Sequence, residues 1–211
     1  MTIELPSWVA KVPNWTWMVV AGVFAGMAIA HVADVMFGGL KKWFFGETAI
    51  QTHFSPKGGC TEAVVAELDL CRKEIWVQAY SFTSKPIAEA LFRARDRGVA
   101  VCILLDKSNE AETHTELPDL IAHGMDIRID PCHAIAHNKV MVLDSRTVIT
   151  GSFNFTFQAE HENAENLMIL RNHRELAQNY RANFEHHREH CVAPGTAKVT
   201  QIPERTHRKA A

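Results

Sequence analysis

Several things are scarce in this chain of 211 residues, and each scarcity removes a class of explanation. Cysteine is limited to Cys60, Cys71, Cys102, Cys132 and Cys191, an odd number with no CxxC pair, so neither a disulfide scaffold nor a thiol redox motif is indicated. Cys102 lies in an apolar run and reads as a core residue, while a Cys60–Cys132 or Cys71–Cys191 bridge stays open. Eleven Gly and eight Pro are ordinary numbers, which excludes collagen-like and low-complexity chains. Neither sign of charge dominates: 22 Lys+Arg against 24 Asp+Glu leaves a net −2. Bulk positive charge is therefore not what would hold nucleic acid, although a local basic groove remains open. No internal repeat is visible. The one abundant titratable residue is His, with 12 copies.

Formal charge is absent from Val12 to Ala33, a run of 22 residues. A bilayer core of about 30 Å needs about 20 helical residues, so the run predicts a retained single-span anchor. Trp15 and Trp17 at one end, and Lys41, Lys42 and Trp43 beyond the other, suit interfacial positions. Ala28-Ile29-Ala30 also resembles a small-x-small cleavage site, which would make the segment a signal peptide and the domain periplasmic or secreted. A buried soluble helix is the third reading, and which side the domain faces stays open. The expected organisation is an anchor or signal segment over 1–43, a catalytic domain over 44–195 and a flexible basic tail over 196–211.

In the remainder, residues 44–58 read as a connector. Helical spacing of Val64, Leu68 and Cys71 predicts a helix over 61–73, and Pro86 and Gly98 bracket another over 86–97. Strands are predicted at 75–81, 99–105, 125–129, 139–143, 147–150 and 165–170, with a third helix ending near His123-Gly124. Asn172 and Glu175 resemble a capping box for a last helix running to about His190. Strands alternating with helices, followed by successive strands, predict an α/β domain with a mixed sheet flanked by helices.

The polar chemistry concentrates between residues 133 and 166. His137 and Lys139 open a strand and share a face by its two-residue period. Asp144 closes that strand; Gly151, Ser152 and Asn154 follow the next one; Glu165 and Asn166 lead into a third. A phosphoryl centre must have its negative charge neutralised before a nucleophile approaches. Lys139 supplies a cation, and Ser152 and Asn154 supply neutral donors for the equatorial oxygens. An imidazole can attack phosphorus directly and divide one hard displacement into two. A carboxylate on its other nitrogen would fix tautomer and aim, and Glu165 is the candidate. No metal or other cofactor is needed.

Taken together, HNKVMVLD, GSFN and NAEN resemble the HxK(x)4D motif of the phospholipase D superfamily with its downstream elements. The resemblance spans roughly residues 48–190 and implies an αβα sandwich. It makes His137 the nucleophile of a covalent phosphohistidine and gives Lys139 and Asn154 the phosphate oxygens, supported by Ser152. Glu165 becomes the orienting acid and Asp144 more a structural than a reacting one. The reaction also needs a second His as general acid, yet His53, His114, His123, His161 and His186 all lack the Lys. A lone motif implies a homodimer with one composite site, as in the Nuc-type bacterial endonucleases and the mitochondrial Zucchini/cardiolipin hydrolase branch. The first is the nearer match, because no Cys cluster corresponds to the zinc element of the second.

His186 and His190 have metal-ligand spacing, but with no Cys or carboxylate to complete a tetrahedral set they read as a solvated helix face; Cys132-His133 reads as lining the site entrance rather than as a zinc site. The expected function is metal-independent endonucleolytic cleavage of DNA or RNA. A phospholipase D acting on phospholipid head groups is the alternative, and a non-catalytic nucleic-acid scaffold on the membrane is the third possibility.

Overall fold

The computed structural model describes residues 13–45 and 47–196, and the chain divides between Glu47 and Thr48 into two compact units. The first unit holds α1 (Asn14–Phe45), whose described apolar side chains, Phe24, Met27 and Ile29 among them, are exposed. Among the described residues no helix is long and apolar enough to cross a membrane. This corrects the expected single-pass anchor. Spanning takes about 20 consecutive apolar helical residues, and within α1 the longest stretch of sequence without a polar residue lies between Thr16 and His31. The side chains of Trp15, Trp17, Lys41, Lys42 and Trp43, together with Lys11 and the tail from 197, lie outside the described residues.

The second unit is built on seven strands in the order β1-β7-β6-β5-β2-β3-β4. They are β1 (Ala49–Phe54), β2 (Glu74–Ala79), β3 (Ala100–Asp106), β4 (Asp126–Asp130), β5 (Lys139–Leu143), β6 (Thr147–Gly151) and β7 (Asn166–Arg171). β2, β3 and β4 pair in parallel, which requires crossovers. These contain α3 (Lys85–Asp96) and α4 (Leu117–Ala122). β5 enters antiparallel to β2, and β6, β7 and β1 continue antiparallel. The sheet is therefore mixed, as its residue pattern predicts. β1 was read as a connector: it is an exposed edge strand, so it lacks the apolar signature that burial imposes.

Side-chain alternation sorts β5 and β6 between two layers. Met141, Leu143 and Ile149 join the main core with Val64 and Leu68 of α2 (Cys60–Leu70) and Ile87 and Leu91 of α3. Past the short α5 (Phe157–His161), α6 (Arg174–Arg188) brings Ala177, Leu176 and Tyr180 against Val140, Val142 and Val148 on the opposite face. The cap of α6 is His173, whose ring accepts from the Leu176 N–H, rather than Asn172, which takes a left-handed φ of 57°. All five cysteines are free, and burial pushes the Cys60 and Cys71 thiols up to about 11 and Cys191 up to about 12. Those three thiols are therefore not poised as nucleophiles.

Candidate active site at one end of the sheet

Antiparallel register gathers the candidate residues. Lys139 pairs with Ala79 at the end of β2, Val140 with Thr150, and Gly151 with Leu167. The start of β5, the end of β6 and the start of β7 therefore share one edge. By the two-residue period, His137 and Lys139 lie on the same face as Met141, the face covered by α2 and α3.

His137 is exposed and Lys139 is 7% exposed. The lysine donates to the His137 carbonyl at 2.8 Å, and its Nζ stands 5.0 Å from the centroid of the Tyr80 ring. Burial lowers the Lys139 pKa below its ordinary value, while the Glu165 carboxylate pulls it upward. The Tyr80 ring also lies against His137, with centroids 4.7 Å apart. The sequence reading placed Tyr80 only as part of a strand, since a single aromatic at a strand end carries no signal by itself.

Both flanks of His137 are fixed. Ala136 N–H donates to Asp106 Oδ2 at 2.7 Å, and Tyr80 N–H donates to the Asn138 carbonyl at 3.0 Å. Tyr80 is held in turn by buried Asn109, whose Nδ2 donates to its carbonyl at 2.6 Å. Asp106 and Asn109 are further site-supporting residues that the sequence did not reveal; each comes from a different strand or turn.

The GSFNF segment uses alternation a second time. Phe153 and Phe155 are buried in the main core, which turns Ser152 and Asn154 the other way. Gly151 has φ 151°, and a Cβ there would run into the Asn166 carbonyl oxygen, so glycine permits the close approach. Asn166 then clamps the turn: its N–H and Nδ2 donate to Ser152 Oγ at 3.1 and 3.2 Å, and its carbonyl accepts from Ser152 N–H. Asn154 is half-buried, and its Oδ1 is buried without a hydrogen-bond partner. A buried amide end without a partner is costly, which is the expected state of a group held for a ligand.

Glu165 accepts from Asn163 Nδ2 at 3.2 Å, and its backbone is tied to Ser55. Asp144 is not part of this gathering. It closes the other end of β5, roughly 16 Å from Lys139 at about 3.3 Å per residue. There it accepts from the Cys71 thiol and from the N–H groups of Arg72, Lys73 and Glu74. Burial would raise its pKa, but these hydrogen bonds hold the carboxyl below the usual range.

A family model described as "Cardiolipin synthase, PLD-like domain" matches residues 64–188, more than half of the chain. The chain belongs to the phospholipase D superfamily. A "Phospholipase D" of Rickettsia felis is 43% identical over 135 residues, 64% of this chain and 67% of that protein. The human "Mitochondrial cardiolipin hydrolase" is 33% identical over 107 residues, 51% of this chain and 40% of that protein. Among solved structures, the phospholipase D family member Nuc from Salmonella typhimurium superposes with a TM-score of 0.67 at 32% identity. That match covers 69% of this chain and 97% of Nuc. With its single HxK(x)4D motif, the chain is a phosphodiester hydrolase of the single-motif branch, which displaces the scaffold alternative.

Proposed function

We propose that this phospholipase D-superfamily chain is an endonuclease that cleaves the sugar-phosphate backbone of DNA or RNA without a metal ion at phosphorus, using two copies of the chain. His137 attacks phosphorus, expelling the leaving oxygen and forming a phosphohistidine. The imidazole of the second copy's own motif protonates that oxygen and then activates the water that hydrolyses the intermediate. Lys139 and Asn154 hold the equatorial oxygens, Ser152 supports the turn that carries Asn154, and Glu165 orients the imidazole. An Asn amide turned about its last torsion presents a donor where its unpartnered oxygen now stands.

The observation that carries this reading is an exposed His137 at the same end of the sheet as Asn154, whose buried Oδ1 has no hydrogen-bond partner among the described residues. Tyr80, whose ring packs on His137, also lines a depression with Ser81, Ser108, Ala111 and Glu112. An open surface of that kind suits a polymer lying across it, read through its backbone. The need for a second copy is supported by the lone motif: His133, the nearest alternative acid in sequence, lies on the same short segment as His137 and would approach phosphorus from the same side. The names of the Rickettsia and human relatives favour phospholipid as a second reading.

The test is the purified full chain against single-stranded DNA, RNA, duplex DNA and phospholipid vesicles, with EDTA present. Nucleic-acid cleavage is expected. Head-group release from vesicles with intact nucleic acid would establish the second reading, and cleavage lost in EDTA but restored by magnesium would replace the metal-free chemistry. Analytical ultracentrifugation across a dilution series, with cleavage assayed in parallel, tests the shared site. Specific activity should fall as the dimer dissociates; constant activity far below the dissociation constant would show that one chain suffices.

A further inference from the structure

A second group of chemically capable side chains lies apart from the residues assigned to phosphodiester cleavage. Asp130 ends β4 and is 2% exposed. Its two carboxylate oxygens have separate surroundings. Oδ1 accepts from the Cys132 and His133 N–H groups at 2.9 and 3.1 Å, which fixes the plane of the carboxylate. Oδ2 faces three imidazoles: His133 Nδ1 at 2.7 Å, His190 Nε2 at 3.4 Å and His187 Nδ1 at 3.8 Å. All four donor atoms lie within 4.8 Å of one another.

We propose that Asp130, His133, His187 and His190 form a zinc site that ties the segment entering His137 and the end of α6 to the end of β4. In a tetrahedral site with bonds of about 2.0–2.1 Å, neighbouring ligand atoms stand about 3.3 Å apart. The three distances to Asp130 Oδ2 bracket that value, so forming the tetrahedron moves His133 outward and His187 inward by about half an ångström each. Without a cation the arrangement is awkward. Each inward-facing ring nitrogen is either a donor competing for one oxygen or a lone pair facing other lone pairs. A divalent ion at the centre accepts all four lone pairs at once. Three nitrogens and one carboxylate oxygen suit zinc, whereas magnesium and calcium prefer an all-oxygen shell.

The site is also assembled before any ion arrives. Ile129 and Val192 exchange backbone hydrogen bonds at 2.8 and 2.9 Å, pinning the chain after α6 to β4. Arg188 Nη2 contacts Asp126 Oδ2 at 2.5 Å, and Lys107 Nζ donates to the His133 carbonyl at 2.9 Å. The two backbone donors on Asp130 Oδ1 act as the outer shell that aims a ligand. The three rings are only partly covered, so an ion can enter from their side. His186, which shares i,i+4 spacing with His190, is not a member: it is exposed and lies 3.7 Å from Glu189.

The test reads metal, not turnover, so its result is independent of the nuclease reading. The untagged full chain is stripped with EDTA, and zinc binding is then followed by competition with a chromogenic chelator, alongside thermal melting. One zinc per chain and a raised melting temperature are expected for wild type and for His186→Gln. The double variant His187→Gln/His190→Gln should lose affinity on the order of 100-fold or more. Equal zinc binding by wild type and the double variant, or none by wild type, would overturn the proposal. X-ray absorption on zinc-loaded wild type needs no variant: a shell of nitrogen and oxygen near 2.0 Å is expected. Sulfur at about 2.3 Å, from Cys132 or Cys191, would overturn the assignment.

Discussion

The two ends of β5 belong to one eight-residue run, HNKVMVLD, yet they are treated in opposite ways. At the far end Asp144 is saturated: one thiol and three backbone N–H groups converge on its carboxylate. At the near end His137 is exposed; among the described residues, buried Lys139 has one hydrogen-bond partner, a carbonyl, and Asn154 Oδ1 has none. Folding free energy is gained where groups are satisfied and forgone where they are kept ready for a ligand. A motif that reads as one unit in sequence thus divides into a hydrogen-bonded half and an open half, to which the proposed chemistry is assigned. The following changes should separate them.

The largest effect is expected at the exposed end. His137→Ala should reduce phosphodiester turnover by on the order of 10⁴-fold or more, as loss of a covalent nucleophile does. Because the side chain is exposed, the melting temperature should stay at the wild-type value. Wild-type turnover by pure variant would show that the nucleophile lies elsewhere. Lys139→Ala and Asn154→Ala come next, each costing about 10²–10³ in kcat, since each removes one group that stabilises the transition state. A change confined to KM in steady-state kinetics would reassign them to ground-state binding.

Asp144→Asn should reverse the pattern. It weakens a charge-assisted set of hydrogen bonds and is expected to cost about 1–3 kcal/mol in urea unfolding, with turnover retained in the folded fraction. The sign of its pH dependence follows from the lowered pKa. The folded carboxyl titrates below its unfolded value of about 3.9, so its contribution is complete above that pH and is lost as the pH falls through the folded pKa. Wild type should therefore lose its advantage over the variant only on the acid side. An advantage that vanished near neutrality would contradict this.

The smallest effect concerns Lys139. Burial lowers its pKa and Glu165 opposes that shift, so the alkaline limb of kcat should fall before an ordinary lysine would titrate. Glu165→Gln should move that limb to still lower pH. A limb unmoved by the substitution would mean that Glu165 does not sense Lys139 through charge.

Much of this site was legible because its residues are close in sequence or carry a periodic pattern. β5 was predicted at 139–143, where it stands, and the flanking Phe153 and Phe155 let alternation turn Ser152 and Asn154 outward. What could not be read were contacts made by the fold alone. Tyr80 packs on His137, Asp106 holds its neighbour Ala136 and Asn109 holds Tyr80, and no spacing along the chain announces them. The histidines of α6 looked like a solvated face because their partners, Asp130 and His133, lie more than fifty residues earlier. β1 escaped notice because an exposed edge strand need not be apolar. The N-terminal run misled in the other direction, since absence of charge in a sequence does not by itself make a spanning helix.

The most direct test of the division within β5 is to trap the covalent intermediate. An oligonucleotide substrate is mixed with the full chain, quenched in alkali, where phosphohistidine survives, and the protein is digested and analysed by mass spectrometry. The account predicts a nucleotide adduct on the peptide containing His137, absent from His137→Ala and present in Asp144→Asn. An adduct on any other residue, or one that persists in His137→Ala, would contradict it.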